Sequence, residues 1–386
     1  MRLGLIGTGR LGLCFALLVE RAGYEVLASD SREDYIKDLR QGVVGTAEPD
    51  VHDLLWDYDL SVEFTTDNGR VIRECDLIYT LVATPSKEDG SYDVSNVWNV
   101  VKDIKEQMKI ISDAPGLRIH ENGVYYAKAF VIGCTTNPGD CDKFREELPP
   151  SIDVYYNPEF IAQGSIVNDL RHADTVLIGG EGPHKPYIEE IYQKIQKEYK
   201  EPSIHFMSAK AAEIVKIAMN CFLTTKISYA NMLGQVLYNS GLEDEIDEVL
   251  EAIGSDSRIG NKYLKFGYGF GGPCFPRDNR AFAKYAEKVG IEHNFGYTTD
   301  NFNNEHAKFV KKYFINSNPE KHPFVFESVA YKEGTDILTE SQQYRLVLDL
   351  LDEGYEIYVK DDRIKDSCDE RIKFGEPTGT YCLGLL

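Results

Sequence analysis

The chain has 386 residues, 42% hydrophobic and 27% charged, with 42 basic against 63 acidic side chains and a net charge of −21. It is too long for one ordinary core, so two or three globular domains are expected. The acidity argues against nucleic-acid binding, no apolar run is long enough to span a membrane, and any anionic ligand needs local donors such as helix N-termini and a few Lys or Arg.

The first residues, Met1 to Ile6, are apolar enough to resemble a secretory leader, but Gly7, Gly9 and Arg10 break the run and Glu20 and Arg21 follow too soon. They read better as a buried strand over Leu3–Ile6, turning into a helix over Gly12–Ala22 that Gly23 ends. Glu25–Ser29 is the next strand. Leu77–Val82, Ala129–Gly133 and Thr175–Gly179 are later short apolar runs near turn residues. Strands alternating with helices predict a parallel sheet covered on both faces. From about Ser208 the pattern changes. Apolar residues at helical spacing predict one long helix from Ala211 to about Tyr238, a second over Glu245–Ile253, and a third over Asn279–Lys288 after the glycine-rich stretch Gly267–Gly272. Pro323–Ala330, Gln343–Asp352 and Glu356–Val359 predict a further strand-helix-strand unit, and the tail after Asp366 reads as loop. The fold class is α/β. It has an N-terminal Rossmann-like dinucleotide-binding domain (1–205), a central long-helix domain (206–305) and a smaller C-terminal α/β domain (306–386).

The eight cysteines form no C-x-x-C pair and the histidines no H-x-x-x-H, so neither a metal site nor a disulfide framework is expected. That usage points to a reducing compartment, the cytoplasm.

Gly7-Thr8-Gly9-Arg10-Leu11-Gly12 has G-x-G-x-x-G spacing, directly after a predicted strand and opening a predicted helix. Gly7 allows the tight turn, Gly9 lets backbone approach a pyrophosphate, and Gly12 lets helix and strand pack closely. Asp30 closes the next strand, eighteen residues past Gly12, where it would accept from a ribose 2′-OH and favour NAD over NADP. Arg32 cuts the other way, because a nearby Arg receives a 2′-phosphate.

Among the cysteines only Cys274 lies in a glycine-rich loop, Gly269-Phe270-Gly271-Gly272-Pro273-Cys274-Phe275-Pro276-Arg277-Asp278. Arg277 would favour a thiolate there. By itself the loop leaves a nucleophile and a structural thiol equally open.

The segment resembles the G-F-G-G-S-C-F-P-K-D signature of the UDP-glucose/GDP-mannose dehydrogenase family. Other segments resemble that family in the same order along nearly the whole chain. They are Thr84-Pro85 with Gly90 and Asp93, Thr135-Thr136-Asn137-Pro138, Asn157-Pro158-Glu159-Phe160 with Gly164, and Lys216 to Asn220 as K-x-x-x-N. Arg258-Ile259-Gly260 with Tyr263-Leu264, and Ala330-Tyr331-Lys332 with Thr335 and Glu340-Ser341, complete the series.

The resemblance implies NAD-dependent, two-step oxidation of a UDP-sugar at C6 through a thiohemiacetal and then a thioester on Cys274. It implies that Lys216 and Asn220, four apart on one helix, stabilise the oxyanion. Asp278 would position water or hold Lys216. Glu159 would serve in base catalysis, with Thr136 beside it holding a water. It places Gly7 to Gly12, Asp30, Thr84, Thr136, Gln163 and Arg277 on the cofactor. Glu159, Lys216, Asn220, Arg258, Tyr263, Lys265, Gly271 and Lys332 fall on the substrate. It also implies a homodimer or higher homo-oligomer through the long central helix, and nucleotide-sugar binding in 306–386.

Departures from the family pattern are Gln163 for a Glu, Thr339 for an Arg, Tyr35 for a Lys or Arg, Arg277 for Lys, Pro273 for Ser and Ser328 for Gly. Two cations lost near NAD predict weaker cofactor binding. UDP-glucose is the expected substrate. GDP-mannose, a UDP-N-acetylhexosamine, a non-catalytic nucleotide-sugar binding module and a single-step hydroxyacid dehydrogenase remain as alternatives.

Overall fold

Strand β1 (Arg2–Ile6) sits inside an eight-stranded sheet and is buried from Leu3 to Ile6, which is why its run is unbroken by polar residues. The computed structural model describes residues 1–56, 61–113, 128–199 and 201–384. These form two compact units, Met1–Lys216 and Ile217–Leu386.

In the first unit β1 is followed by α1 (Arg10–Arg21), β2 (Glu25–Ser29), α2 (Glu33–Arg40), α3 (Val51–Leu55), β3 (Glu63–Thr65), α4 (Asn68–Glu74) and β4 (Leu77–Thr80). Then come α5 (Ser95–Asp113), β5 (Lys128–Ile132), α6 (Asp140–Glu147), β6 (Ile152–Tyr156), α7 (Ile166–Arg171), β7 (Thr175–Gly179), α8 (Lys185–Ile195) and β8 (Ser203–Met207). The strand order is β3-β2-β1-β4-β5-β6-β7-β8. From β1 the chain builds outward to β2 and then returns to the other side at β4. The carboxyl ends of β1 and β4 therefore flank the switch point where α/β sheets bind ligands. Helix α1 is buried without a break from Gly12 to Val19, so its apolar run lacks a polar face. Phe15 at its centre meets Tyr79 at 4.9 Å and Tyr192 at 6.3 Å between ring centroids.

The sheet differs from expectation in one respect. The first six strands are parallel, but β7 pairs antiparallel with β6 and β8 runs with β7. A buried apolar run carries no sign of direction, so the reversal at Thr175–Gly179 is invisible to pattern reading.

The second unit begins inside the long helix α9 (Ala209–Asn239) and continues through α10 (Ile246–Gly254), α11 (Phe275–Lys288) and α12 (Phe295–Ser317). A four-stranded parallel sheet follows, in the order β11-β10-β9-β12, from β9 (Phe324–Phe326), β10 (Ile357–Val359), β11 (Lys373–Phe374) and β12 (Cys382–Leu383), with α13 (Gln342–Asp352) between β9 and β10. Two expectations are corrected here. The tail after Asp366 is not only loop, because β11 and β12 close both sides of the sheet. Two residues apiece are too few to show a period. The strand expected over Pro323–Ala330 stops at Phe326, and Ser328 beyond it bonds Asp361 at 2.7 Å instead of extending the ladder.

The core of this sheet is aromatic. Phe326 lies between Phe314 at 6.1 Å and Phe324 at 6.4 Å, and is buried. Phe326→Ala should therefore cost about 3–5 kcal/mol of stability, read as a lower urea midpoint. A loss below about 1 kcal/mol would show that the ring does not centre this core.

Candidate active site

The turn from β1 to α1 is shaped for a dinucleotide. Gly7 has φ +99°, which favours glycine, and a Cβ on Gly12 would collide with the Gly7 carbonyl. Nothing lies within 4 Å of where a Gly9 Cβ would stand, and no side chain caps α1 at Gly9. Open space in front of an uncapped helix N-terminus suits a pyrophosphate.

Asp30 closes β2 as expected, but its oxygens already have partners. Oδ2 accepts from the Thr8 backbone N–H at 3.1 Å and from Arg32 Nη2 at 2.9 Å, and Oδ1 accepts from Arg32 Nε at 2.8 Å. Burial pushes this carboxyl up, yet the Arg32 guanidinium outweighs it and holds the group below the usual range. Arg32 lies over the Tyr35 ring at 4.1 Å, and Tyr35 Oη donates to the Thr8 carbonyl at 2.7 Å. A cation therefore stands at this edge despite Tyr35, carried two residues past Asp30. Arg10 and Gln163 also meet, Nη1 donating to Oε1 at 3.2 Å, and Thr84 is buried in the segment after β4.

Glu159 follows β6 and is buried. Its Oε1 accepts from Tyr192 Oη on α8, and its backbone carbonyl accepts from Lys216 Nζ at 2.7 Å. Lys216 also stands over the Phe160 ring at 4.8 Å. Burial pushes the Glu159 carboxyl up to about 7, against the Tyr192 bond and the Lys216 charge, which lower it. Lys216 was expected to pair with Asp278, and the Glu159 carbonyl is the acceptor seen. Thr136 is also placed differently from expectation. Its hydroxyl donates to Glu213 Oε1 at 2.8 Å in a fully buried position, so that proton is committed to a carboxylate and not to a water beside Glu159.

Glu213 escaped the sequence reading. It accepts from Thr136 and from the Gly139 and Cys141 backbone N–H groups at 2.6 and 2.9 Å, capping α6 from α9. Its signal was a lone acid in an apolar helix, three residues before Lys216. Glu48 is a second omission. It accepts from the Gly164 and Ile166 N–H groups at 2.7 and 3.2 Å and so holds the loop that carries Gln163.

In the second unit α9 holds the start of α11. Asn220 Nδ2 donates to Asp278 Oδ2 at 2.6 Å, and one turn on, Thr224 Oγ1 donates to Asn279 Oδ1 at 2.9 Å. Helix α11 starts at Phe275, earlier than expected, so Asp278 lies inside its first turn and is not its N-cap. The N-cap is Cys274, at the end where the helix dipole favours negative charge. Arg277 Nε meets Asp278 Oδ1 at 3.2 Å. Cys274 is partly exposed, whereas burial pushes the Cys14 and Cys75 thiols up to about 12 and Cys221 to about 11. The glycines before Cys274 leave no room for a side chain. A Cβ on Gly272 would collide with the Tyr331 ring, and one on Gly271 with the Glu340 carbonyl. Asn303 pins the loop by bonding both the N–H and the C=O of Phe270 at 2.9 Å.

Arg258 is exposed and paired with Asp256 at 2.6 Å. Tyr263, at φ +62°, and Lys265 are also exposed, and Lys332 is half-buried. A crevice of about 470 Å³ lies at the carboxyl ends of β9, β10 and β12, lined in part by Tyr268, Ser328, Ala330, Arg363 and Gly384. Its position between β9 and β12, where the strand order changes side, is one that binds ligands in α/β sheets. Among the described residues no group of three or more His, Cys, Asp or Glu is placed to hold a metal, and no helix is long and apolar enough to cross a membrane.

The buried Glu159 carboxyl makes stability pH-dependent. The unfolded group titrates near 4.5 and the folded one near 7, so between these values the folded state binds more protons. Stability should fall as pH rises through that window, by about 3 kcal/mol in all. Glu159→Gln should remove this slope, so its urea midpoint gains on the parent at pH 8 and not at pH 5. Equal slopes in both proteins would place the titration elsewhere.

Residues 1–196 match the NAD binding domain of the UDP-glucose/GDP-mannose dehydrogenase family, and residues 210–305 match its central domain. The UDP-glucose 6-dehydrogenase TuaD of Bacillus subtilis is 32% identical over 300 residues, which are 75% of this chain and 60% of TuaD. The fold matches a UDP-glucose dehydrogenase from Pyrobaculum islandicum with a TM-score of 0.83 at 24% identity, over 97% of this chain and 86% of that one. It also matches a UDP-D-ManNAc dehydrogenase from Pyrococcus horikoshii with a TM-score of 0.74 at 21% identity, over 93% and 83%. With its glycine turn, its placed cysteine and both domain matches, this chain belongs to the UDP-glucose/GDP-mannose dehydrogenase family.

Proposed function

We propose that this chain oxidises the C6 alcohol of UDP-glucose to a carboxylate in two NAD-dependent steps, with Cys274 as the covalent nucleophile. The observation that carries the reading is Cys274 itself. It is partly exposed at the N-terminus of α11, beside a buried Asp278 that holds Asn220.

NAD, when bound, accepts the hydride lost from C6 in each oxidation. Gly7, Thr8, Gly9, Arg10, Leu11 and Gly12 would hold its pyrophosphate, and Asp30 its ribose, sharing the carboxylate with Arg32. Thr84, Gln163 and Arg277 complete that edge. Glu159, half-ionised near neutral pH, takes the alcohol proton in the first step. Cys274 Sγ then adds to the aldehyde carbon. The resulting oxyanion accepts from Lys216 and from the Asn220 N–H that Asp278 does not use. Loss of the second hydride leaves a thioester, and water adds to its carbonyl and expels the thiolate. Thr136 supports this site through Glu213 and the α9 helix. Arg258, Tyr263, Lys265, Gly271 and Lys332 contact the nucleotide-sugar.

We infer for it a three-part organisation, dividing near 205 and 305. The working form we infer is a cytoplasmic homodimer or higher homo-oligomer joined along α9. Phe222, Tyr229, Met232 and Val236 lie on one stripe of that helix and are exposed in the single chain, Phe222 by 65%.

Mixing the protein with NAD and a panel of nucleotide-sugars should release two NADH per UDP-glucose. Turnover of GDP-mannose or a UDP-N-acetylhexosamine alone would replace the substrate, and no turnover of any sugar would leave a binding module. Cys274→Ser should lower turnover on the order of 10³-fold. Full activity in that variant would mean a single-step oxidation without the thioester. Phe222→Glu should halve the mass seen by sedimentation, and an unchanged mass would move the dimer contact off α9.

A further inference from the structure

Behind Glu159 lies a closed chain of polar groups. Tyr192 Oη contacts both Glu159 Oε1 and Asn157 Oδ1, the latter at 2.8 Å. Asn157 Oδ1 also accepts from Tyr79 Oη at 3.0 Å, and its Nδ2 donates to the Leu177 carbonyl at 2.9 Å. That last bond fixes which end of the Asn157 amide faces the tyrosines. Tyr79, Asn157 and Tyr192 are all buried, within 1% of full coverage.

Counting protons decides how this chain works. Tyr192 has one hydroxyl proton and two acceptors. With Glu159 ionised, that proton goes to the carboxylate, and the contact to Asn157 Oδ1 brings two oxygens together without a hydrogen. With Glu159 protonated, its Oε1–H donates to Tyr192 Oη, and the Tyr192 hydroxyl turns to Asn157 Oδ1. Both oxygen contacts of Tyr192 then carry a hydrogen. The bond from the Tyr192 hydroxyl to the carboxylate is charge-assisted, so ionised Glu159 gains more from Tyr192 than protonated Glu159 does.

We propose that Tyr192 is a positioning residue for Glu159, a hydroxyl that turns from the carboxylate to Asn157 as Glu159 takes up the alcohol proton. This rests on the reading of Glu159 as the base. One proton enters the chain and none leaves it, so the step balances. Among the described residues, the titratable groups that face Glu159 are Tyr192 from α8, Lys216 from α9 and Tyr79 from β4. Lys216 and the Tyr192 hydroxyl both favour the ionised carboxylate, against burial, and of the two only the hydroxyl bonds the carboxylate itself. Burial raises the Glu159 titration, and the Tyr192 bond works against that rise.

Two opposed changes at one position test it. Tyr192→Phe takes the charge-assisted donor from ionised Glu159 and should raise its proton affinity about tenfold, about one pH unit. 3-Fluorotyrosine at 192, a stronger donor of the same shape, should shift it downward. The readout is the infrared carboxylic C=O band of Glu159 against pH, assigned by its loss in Glu159→Gln, with folding checked by circular dichroism. The acidic limb of kcat/KM should move with the band. A band that moves with neither change overturns the role of Tyr192. A limb that persists in Glu159→Gln overturns instead the reading of Glu159 as base.

Discussion

Helix α9 carries one polar stripe, and most of the candidate site depends on it. Glu213, Lys216, Asn220 and Thr224 follow at spacings of three, four and four, so they share a face. Each is buried and each holds a different segment. Glu213 caps α6 and takes the Thr136 proton, and Lys216 takes the Glu159 carbonyl. Asn220 holds Asp278, and Thr224 holds Asn279. A polar group in a buried helix is costly unless paired, so the stripe and its partners stand or fall together.

Burial and pairing pull carboxylates in opposite directions here. Asp30 and Glu159 both lie at the ends of strands in the first sheet, and burial pushes both upward. Arg32 reverses this for Asp30, which stays charged. Among the described residues Glu159 meets a tyrosine hydroxyl and a lysine that spends one hydrogen on a backbone carbonyl, and burial outweighs both, so it titrates near neutrality. The same fold thus holds one carboxylate ionised and lets the other titrate near neutrality.

The two glycine-rich segments look alike as strings and differ in purpose. At Gly9 the space in front of the backbone is open, as a ligand-binding turn requires. At Gly271 and Gly272 that space is filled by the protein, by the Glu340 carbonyl and the Tyr331 ring. There glycine allows the loop to fold under its neighbours and leaves Cys274 at the helix start.

The sequence by itself determined what local chemistry can encode. The β1–turn–α1 unit with Asp30, the long α9 helix and the ordered segments around Glu159, Lys216 and Cys274 were all legible, because each rests on short-range spacing. The tertiary structure alone decided the partners. Strand direction at β7, the two-residue strands β11 and β12, and the pairing of Arg32 with Asp30 depend on chain segments meeting in space. So do Thr136 with Glu213, Lys216 with the Glu159 carbonyl, and Tyr192 with Glu159. A hydrogen bond between residues 33 or 77 positions apart leaves no periodic trace, and its geometry exists only once the sheet and helices have packed.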